Sequence, residues 1–117
     1  ILDFGRPEAL LNGNKILLEA HQSHIHGSIK SIQNSVICDP CAIGKNCEIT
    51  RSIIGPYVSI GKNSKIIDCN LKNVVIGDNC MLEKIITRDS IIGDNVKIEA
   101  IIKDNITLGD NSYLIEL

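Results

Sequence analysis

A pattern of seven residues occurs five times along this chain, and it limits the possible folds more than any other feature. The copies read IGKNCEI (43–49), IGKNSKI (60–66), IGDNCML (76–82), IGDNVKI (92–98) and LGDNSYL (108–114). Their first residues are separated by 17, 16, 16 and 16 positions. A short fixed period indicates a solenoid, because each repeat forms one coil that buries its apolar side only against the neighbouring coils.

The positions within the pattern have different predicted roles. The first and seventh are always Ile or Leu, and we expect them to point into the core. The second is always Gly and the fourth always Asn, residues suited to tight corners because Asn adopts left-handed backbone angles at low cost. The fifth is small and would fill the inside of a corner. The positions predicted to be structural are Ile43, Gly44, Asn46, Ile60, Gly61, Asn63, Ile76, Gly77, Asn79, Ile92, Gly93, Asn95, Leu108, Gly109 and Asn111.

Aliphatic residues between the copies complete each coil. In the third coil the inward residue is predicted to be Ile86 or Thr87. At comparable offsets lie Ile37, Ile54, Leu71 and Ile102. Three short strands in 16–17 residues describe a three-sided coil, so residues 23–117 are predicted to form an all-β solenoid of five to six coils. The composition agrees, since 23 of 117 residues are Ile and only 3% are aromatic, and β-branched side chains favour strands.

The first 22 residues follow a different pattern. Pro7 suits the first turn of a helix, and Glu8 suits its positive N-terminal end. Leucines then recur at helical spacing, which predicts one α-helix over 7–20. We expect this helix to cover the open edge of the first coil, because exposed strand edges favour aggregation. We also expect residues 1–22 to be the tail of a preceding domain, so that the chain is part of a longer polypeptide.

Charge and hydropathy exclude several classes of function. The formal net charge is −2 and no block of Lys or Arg stands out, which argues against nucleic-acid binding. No apolar run approaches the ~18 residues that span a membrane. A cytoplasmic location is therefore the expectation. The five cysteines fit reduced thiols, and Cys38 and Cys41 form a lone CxxC for which small-residue packing is favoured over zinc.

The sequence also resembles a known family. The repeat resembles the hexapeptide pattern of left-handed parallel β-helices, and the left-handed sense rests on this resemblance alone, because crossovers are otherwise right-handed. The stretch LDFGRPEALLNGNKILLE is similar to the end of the nucleotidyltransferase domain in sugar-1-phosphate nucleotidylyltransferases. SIIGPYVSIGKN and RDSIIGDN look most like the glucose-1-phosphate thymidylyltransferase type. This resemblance implies a non-catalytic assembly or regulatory domain, an upstream catalytic domain and a homo-oligomer.

The resemblance further implies the chemistry of the parent enzyme. A nucleoside triphosphate and a sugar 1-phosphate would react to give a nucleotide sugar and pyrophosphate. In the family an Asp-x-Gly-x-Pro stretch contributes an Asp to the catalytic Mg²⁺, and it maps here to Asp3, which alone would be an incomplete site. Mg²⁺ would neutralise phosphate charge, and no cofactor is expected for this part of the chain itself.

Two other functions remain open from the sequence. Hexapeptide β-helices include acyl-CoA-dependent acyltransferases that use a His as general base, and His24 and His26 are the candidates here. A purely structural oligomerisation module is the other alternative. Asp78, Asp94 and Asp110 share the third position of the pattern, and we interpret them as solvated corner residues rather than cation ligands.

Overall fold

The repeats fold into a left-handed parallel β-solenoid of about five turns with one N-terminal helix, as predicted. The structure is a computed structural model and describes residues 6–21, 24–25 and 31–115. The helix α1 spans Pro7–His21, and the strands are β1 (His24–Ile25), β2 (Ser31–Gln33), β3 (Val36–Ile37), β4 (Cys41–Ile43), β5 (Glu48–Thr50), β6 (Ile53–Ile54), β7 (Val58–Ile60), β8 (Lys65–Ile67), β9 (Asn70–Ile76), β10 (Met81–Ile92), β11 (Lys97–Ile102), β12 (Thr107–Leu108) and β13 (Tyr113–Ile115).

All the strand pairs are parallel, and they form three flat sides. Face 1 contains β2, β5, β8, residues 81–83 of β10, residues 97–99 of β11, and β13. Face 2 contains β3, β6, residues 70–72 of β9, residues 85–88 of β10 and residues 101–102 of β11. Face 3 contains β1, β4, β7, residues 74–76 of β9, residues 90–92 of β10, and β12. β10 is long because its backbone remains hydrogen-bonded to the neighbouring coils around two corners.

Among the described residues, each corner between two faces contains a residue with positive φ, except the corner between β3 and β4, which is formed by residues 38–40. The three corner columns are Asn34, Arg51, Asp68, Lys84 and Ala100; Tyr57, Asn73, Asp89 and Asn105; and Asn46, Asn63, Asn79, Asn95 and Asn111. The last column is the fourth position of the pattern, with φ between 56° and 64°. The predicted corner role of these asparagines is therefore confirmed. The corners that carry Arg, Lys, Ala and Tyr show that the coil geometry imposes this conformation even on residues that adopt it less readily.

The core is a column of aliphatic side chains along the solenoid axis. Ile49, Ile66, Leu82 and Ile98 are stacked in consecutive rows of face 1, and none has measurable exposure. On face 3 the residues at the equivalent position of consecutive coils pair one after another: Ile43 with Ile60, Ile60 with Ile76, Ile76 with Ile92, and Ile92 with Leu108. The inward role predicted for the first and seventh positions of the pattern is confirmed for these residues. Since neighbouring coils supply the burial, the column needs no aromatic side chain.

The choice between Ile86 and Thr87 is settled in favour of Thr87. Thr87 pairs with Leu71 and is buried, with its Oγ1 2.7 Å from the Oγ of Ser90. Ile86 instead points outward. The prediction for Ile102 was wrong, because this residue pairs with Ile86 and is 76% exposed. The buried neighbour of Ile102 is Ile101, which pairs with Ile85.

The helix forms where it was predicted, but its expected role as a cap on the first coil was wrong. It lies across face 3 and contacts β9 and β10, in the middle of the solenoid. Leu11 and Leu18 are buried there. The Oγ of Ser59 donates to the Oδ1 of Asn14 at 2.5 Å, and the ammonium of Lys15 lies 5.5 Å from the centre of the Tyr57 ring. Face 3 is thus the covered side of the prism.

Candidate functional site

The residues predicted for chemistry are not brought together in the described part of the chain. Asp3 and His26 lie outside the described residues. His24 lies in β1, where its backbone pairs with Ala42 at one edge of face 3. Within the described residues, no group of three or more His, Cys, Asp or Glu could hold a metal ion. The metal role of Asp3 and the acyl-transfer role of the two histidines stay predictions.

The glycines of the pattern act through close contact rather than through backbone freedom. Gly55 is the only described glycine with positive φ, so the corner conformation predicted for the second position was wrong. A Cβ added at Gly44 would lie 2.6 Å from the nitrogen of Lys62, and one at Gly61 would lie 2.5 Å from the carbonyl carbon of Gly77. Consecutive coils approach so closely at this position that a side chain would strike the backbone of the next coil.

The aspartates at the third position are partly or fully exposed, in agreement with their interpretation as solvated corner residues, and they also connect the coils. The Oδ1 of Asp94 accepts a hydrogen bond from the backbone nitrogen of Asp78 at 2.8 Å. Asp110 accepts in the same way from the nitrogen of Asp94 at 2.7 Å, and Asp78 accepts from that of Lys62 at 3.0 Å. Each carboxylate therefore satisfies a backbone donor at the corner of the preceding coil.

Replacing Asp94 by Ala is expected to lower the free energy of unfolding by about 1 kcal/mol, because the corner N–H of Asp78 loses its acceptor. Asp94→Asn is the matched control, since its amide oxygen can still accept this hydrogen bond, and it should cost less than about 0.5 kcal/mol. Urea denaturation of the two variants measures the difference. Equal losses would show that the charge of Asp94 matters, and not its acceptor oxygen.

The fifth position fills the inside of the corner, as predicted. The thiol of Cys80 donates to the carbonyl of Gly93 at 3.0 Å, and the hydroxyl of Ser64 donates to that of Gly77 at 3.1 Å. Burial raises the pKa of the Cys80 thiol above its usual value. Burial likewise raises the pKa values of Cys41 and Cys69 to about 11. These thiols are protonated at neutral pH and act as small core residues, which confirms the packing role predicted for them.

Face 1 and face 3 do not present a continuous apolar surface. Face 3 lies under α1. Face 1 carries charged and polar groups of both signs: the ammonium of Lys65 lies 3.9 Å from a carboxylate oxygen of Glu48, and that of Lys97 lies 5.8 Å from the centre of the Tyr113 ring. The charged and polar groups of face 1 can therefore remain hydrated.

Face 2 carries an outward column of β-branched side chains, which we call the face 2 stripe: Val36, Ile53, Ile86 and Ile102. Their exposed fractions are 58%, 46%, 48% and 76%. Asn70 occupies the same outward position in the middle row, since it pairs with both Ile53 and Ile86. Five rows at the ~4.8 Å spacing of paired strands make the stripe about 19 Å long. The stripe is therefore an exposed row of four aliphatic side chains with a polar residue, Asn70, at its centre.

Comparison with known proteins supports the fold assignment. The family described as "GlmU-like, C-terminal hexapeptide" matches residues 18–112. No curated protein matches the chain. The matched region includes all five copies of the seven-residue pattern except the last two residues of the fifth, together with the end of α1. In the described part of the chain, no helix is both long and apolar enough to cross a membrane.

Proposed function

We propose that this chain, which belongs to the GlmU-like, C-terminal hexapeptide family, is the assembly domain of a sugar-1-phosphate nucleotidyltransferase. In this proposal the chemistry is carried out by an upstream catalytic domain, and the β-helix joins copies of the enzyme. The family match and the Asp3-x-Gly5-x-Pro7 resemblance support the link to nucleotidyl transfer. The reaction would join a nucleoside triphosphate and a sugar 1-phosphate, with Mg²⁺ as the cofactor. The sequence resembles the type of enzyme that uses glucose 1-phosphate and a thymidine nucleotide.

The face 2 stripe is the observation that supports the assembly role. In this proposal the stripe contacts a second copy of this chain. The backbone spacing is the same in every row of the stripe, so two copies with parallel axes can place each row against its own counterpart, Asn70 against Asn70 included. Such self-contact requires no second complementary surface. Because only 46–76% of each residue is exposed, burying the rest would contribute less than the roughly 1.5–3 kcal/mol of a fully exposed side chain, before the entropy of association is subtracted.

The assembly role is tested by introducing charge into the stripe. The double variant Ile86→Lys, Ile102→Lys is expected to reduce the molar mass in light scattering from that of an oligomer to that of a monomer, because two ammonium groups would have to be buried at the contact. Ile16→Lys is the matched control, because Ile16 is 68% exposed on α1. This variant makes the same Ile-to-Lys change on a different surface and should leave the molar mass unchanged.

Two results would contradict the proposal. A wild-type chain that is monomeric at micromolar concentrations would remove the assembly role. A double variant that keeps the wild-type mass would show that another surface joins the copies. The link to nucleotidyl transfer is tested separately, by assaying release of pyrophosphate from a nucleoside triphosphate and a sugar 1-phosphate with the complete polypeptide.

A further inference from the structure

A cleft lies on face 2, where the outer sides of three consecutive coils approach the corner with face 3. Its volume is about 430 Å³, which falls in the range of small-molecule sites. Among the described residues that line the cleft, three are cations, Lys72, Arg88 and Lys103, and one is a carboxylate, Asp104. The carboxylate balances one of these charges and leaves two. The cleft is thus positive, although the chain as a whole has a formal net charge of −2.

The backbone holds these cations in neighbouring rows. Arg88 pairs with Lys72, and consecutive rows of a sheet lie ~4.8 Å apart. The N–H of Lys103 donates to the carbonyl of Ile86 at 3.1 Å, which places Lys103 and Asp104 beside the row of Arg88. Because the backbone positions are fixed, the three positive charges repel one another and can separate only by bending their side chains apart.

The three cations also lack an anionic partner in the part of the chain that the structure describes. At the corner between faces 1 and 2, by contrast, the Nε of Arg51 donates to the Oδ1 of Asp68 at 2.7 Å. No ion pair or side-chain hydrogen bond of this kind is found there for Lys72, Arg88 or Lys103. An anion that enters the cleft would therefore supply the partner that the protein does not and would relieve the repulsion.

The chemistry of the lining selects the class of anion. A guanidinium presents its donors in a planar fork that matches two phosphate oxygens, and each ammonium adds further donors. Beside the cations the cleft is lined by Ile86 and Ile102, which are 48% and 76% exposed. These aliphatic side chains offer a contact to a carbon skeleton and none to a bare ion.

We propose that this cleft binds a small organic phosphate. The phosphate group accepts hydrogen bonds from Lys72, Arg88 and Lys103. The carbon skeleton packs against Ile86 and Ile102. Both isoleucines also belong to the face 2 stripe, so the ligand and a second copy of the chain exclude each other there. This exclusion rests on the proposed assembly role, whereas the site itself does not.

The site is tested in a variant that leaves the cleft open. Val36→Lys, Ile53→Lys places charge in the other half of the stripe, so a contact through the stripe would bury two ammonium groups, and no residue of the cleft is changed. The probe is phenyl phosphate, and benzyl alcohol is its uncharged counterpart. In NMR spectra of this isotope-labelled variant, phenyl phosphate is expected to shift the guanidinium signal of Arg88 and the methyl signals of Ile86 and Ile102, with saturation in the millimolar range. Benzyl alcohol is expected to shift neither.

Two further changes locate the binding. In the same background, Lys72→Gln should weaken binding of phenyl phosphate about tenfold, the effect of losing one moderate charge interaction. Lys62→Gln is the matched control, because Lys62 is also exposed but lies outside the cleft, at the corner between faces 3 and 1. Charges at that distance are screened, so the affinity should stay within about twofold. Inorganic phosphate should bind more weakly than phenyl phosphate and leave the isoleucine methyl signals in place.

Four results would overturn the site. Equal binding of benzyl alcohol would show that charge does not select the ligand. Equal affinity for inorganic phosphate would show an adventitious anion only. Equal weakening by the two Lys-to-Gln variants would show attraction to the overall charge, and no shift at tens of millimolar phenyl phosphate would show that the cleft takes no ligand of this class.

The exclusion is tested separately with the wild-type chain. Phenyl phosphate at constant ionic strength should lower the molar mass of the oligomer in light scattering. An unchanged mass, with binding in the charged variant, would overturn the exclusion. A wild-type chain that is monomeric without any ligand would overturn the assembly role instead, and the NMR result would still decide the site.

Discussion

Replacing Gly77 by Ala is expected to destabilise the solenoid by about 3 kcal/mol or more. A Cβ at this position would lie 2.2 Å from the Oδ1 of Asp94 and 2.7 Å from the carbonyl carbon of Gly93. The two coils cannot separate to make room for the Cβ, because the N–H of Gly77 donates a hydrogen bond to the carbonyl of Ile92 at 2.9 Å. This bond fixes the distance between the coils. The free energy of unfolding, measured by urea denaturation, should fall by this amount.

Gly109→Ala is the control, in the same position of the last copy of the pattern. Nothing lies within 4 Å of a Cβ added there, so the change should cost less than about 0.5 kcal/mol. The pair separates two explanations for glycine in this position. If the two variants lose the same stability, the backbone conformation would require glycine, and close contact between coils would not be the reason.

The second large effect is expected from Leu82→Ala. Leu82 has no exposed surface and lies between Ile66 in the preceding row and Ile98 in the following one. Removal of its side chain would leave a cavity in the middle of the core column, with an expected loss of about 2–5 kcal/mol in the free energy of unfolding. Calorimetric and urea unfolding of the variant would measure it.

Leu114→Ala makes the same chemical change in the same column, at its C-terminal end. Leu114 is partly exposed and packs against the core with Ile98 as its row partner. Because stability in a solenoid is approximately a sum over coils and their contacts, the loss at this end row should be less than half of that at Leu82. A larger loss at Leu114 would mean that the terminal coil controls unfolding of the whole column.

The repeat predicted the core well because an inward position recurs with the period of the coil. Ile43 and Ile49 could be assigned without any structure, since their counterparts occupy the same places in the other copies. Between the copies the spacing changes from 17 to 16 residues, so the inward position there does not recur at one fixed offset. Hydropathy favours Ile86 over Thr87 as a core residue, yet the ladder places Thr87 inside, where Ser90 satisfies its hydroxyl.

The position of the helix and the roles of Gly and Asp could not be read from the sequence. The amphipathic pattern of α1 predicts that one side is buried, but three similar faces were available to bury it. Gly77 occurs at a corner, and a corner suggests freedom of the backbone. The real reason is the distance to the next coil, which only the stacked structure gives. The same holds for Asp94, because its partner N–H is 16 residues away in sequence.

The face 2 stripe was also beyond sequence reasoning, for a related reason. Ile53 and Ile54 are adjacent and chemically identical, but one is 46% exposed and the other is fully buried. Their difference follows from the alternation of side chains along a strand, which a two-residue strand does not reveal by pattern.

The regular corner columns limit how a chain of this kind can change in length. A single residue inserted within a strand would turn the following core side chains toward solvent. At the corner between faces 2 and 3 one residue is absorbed, because residues 55–57 there correspond to only two residues, 72–73, in the next coil. A whole coil of 16 residues can be added or removed with every corner, glycine contact and aspartate bond still in place. Larger changes in length therefore come in whole coils, and each added coil extends the face 2 stripe by one row without altering its cross-section.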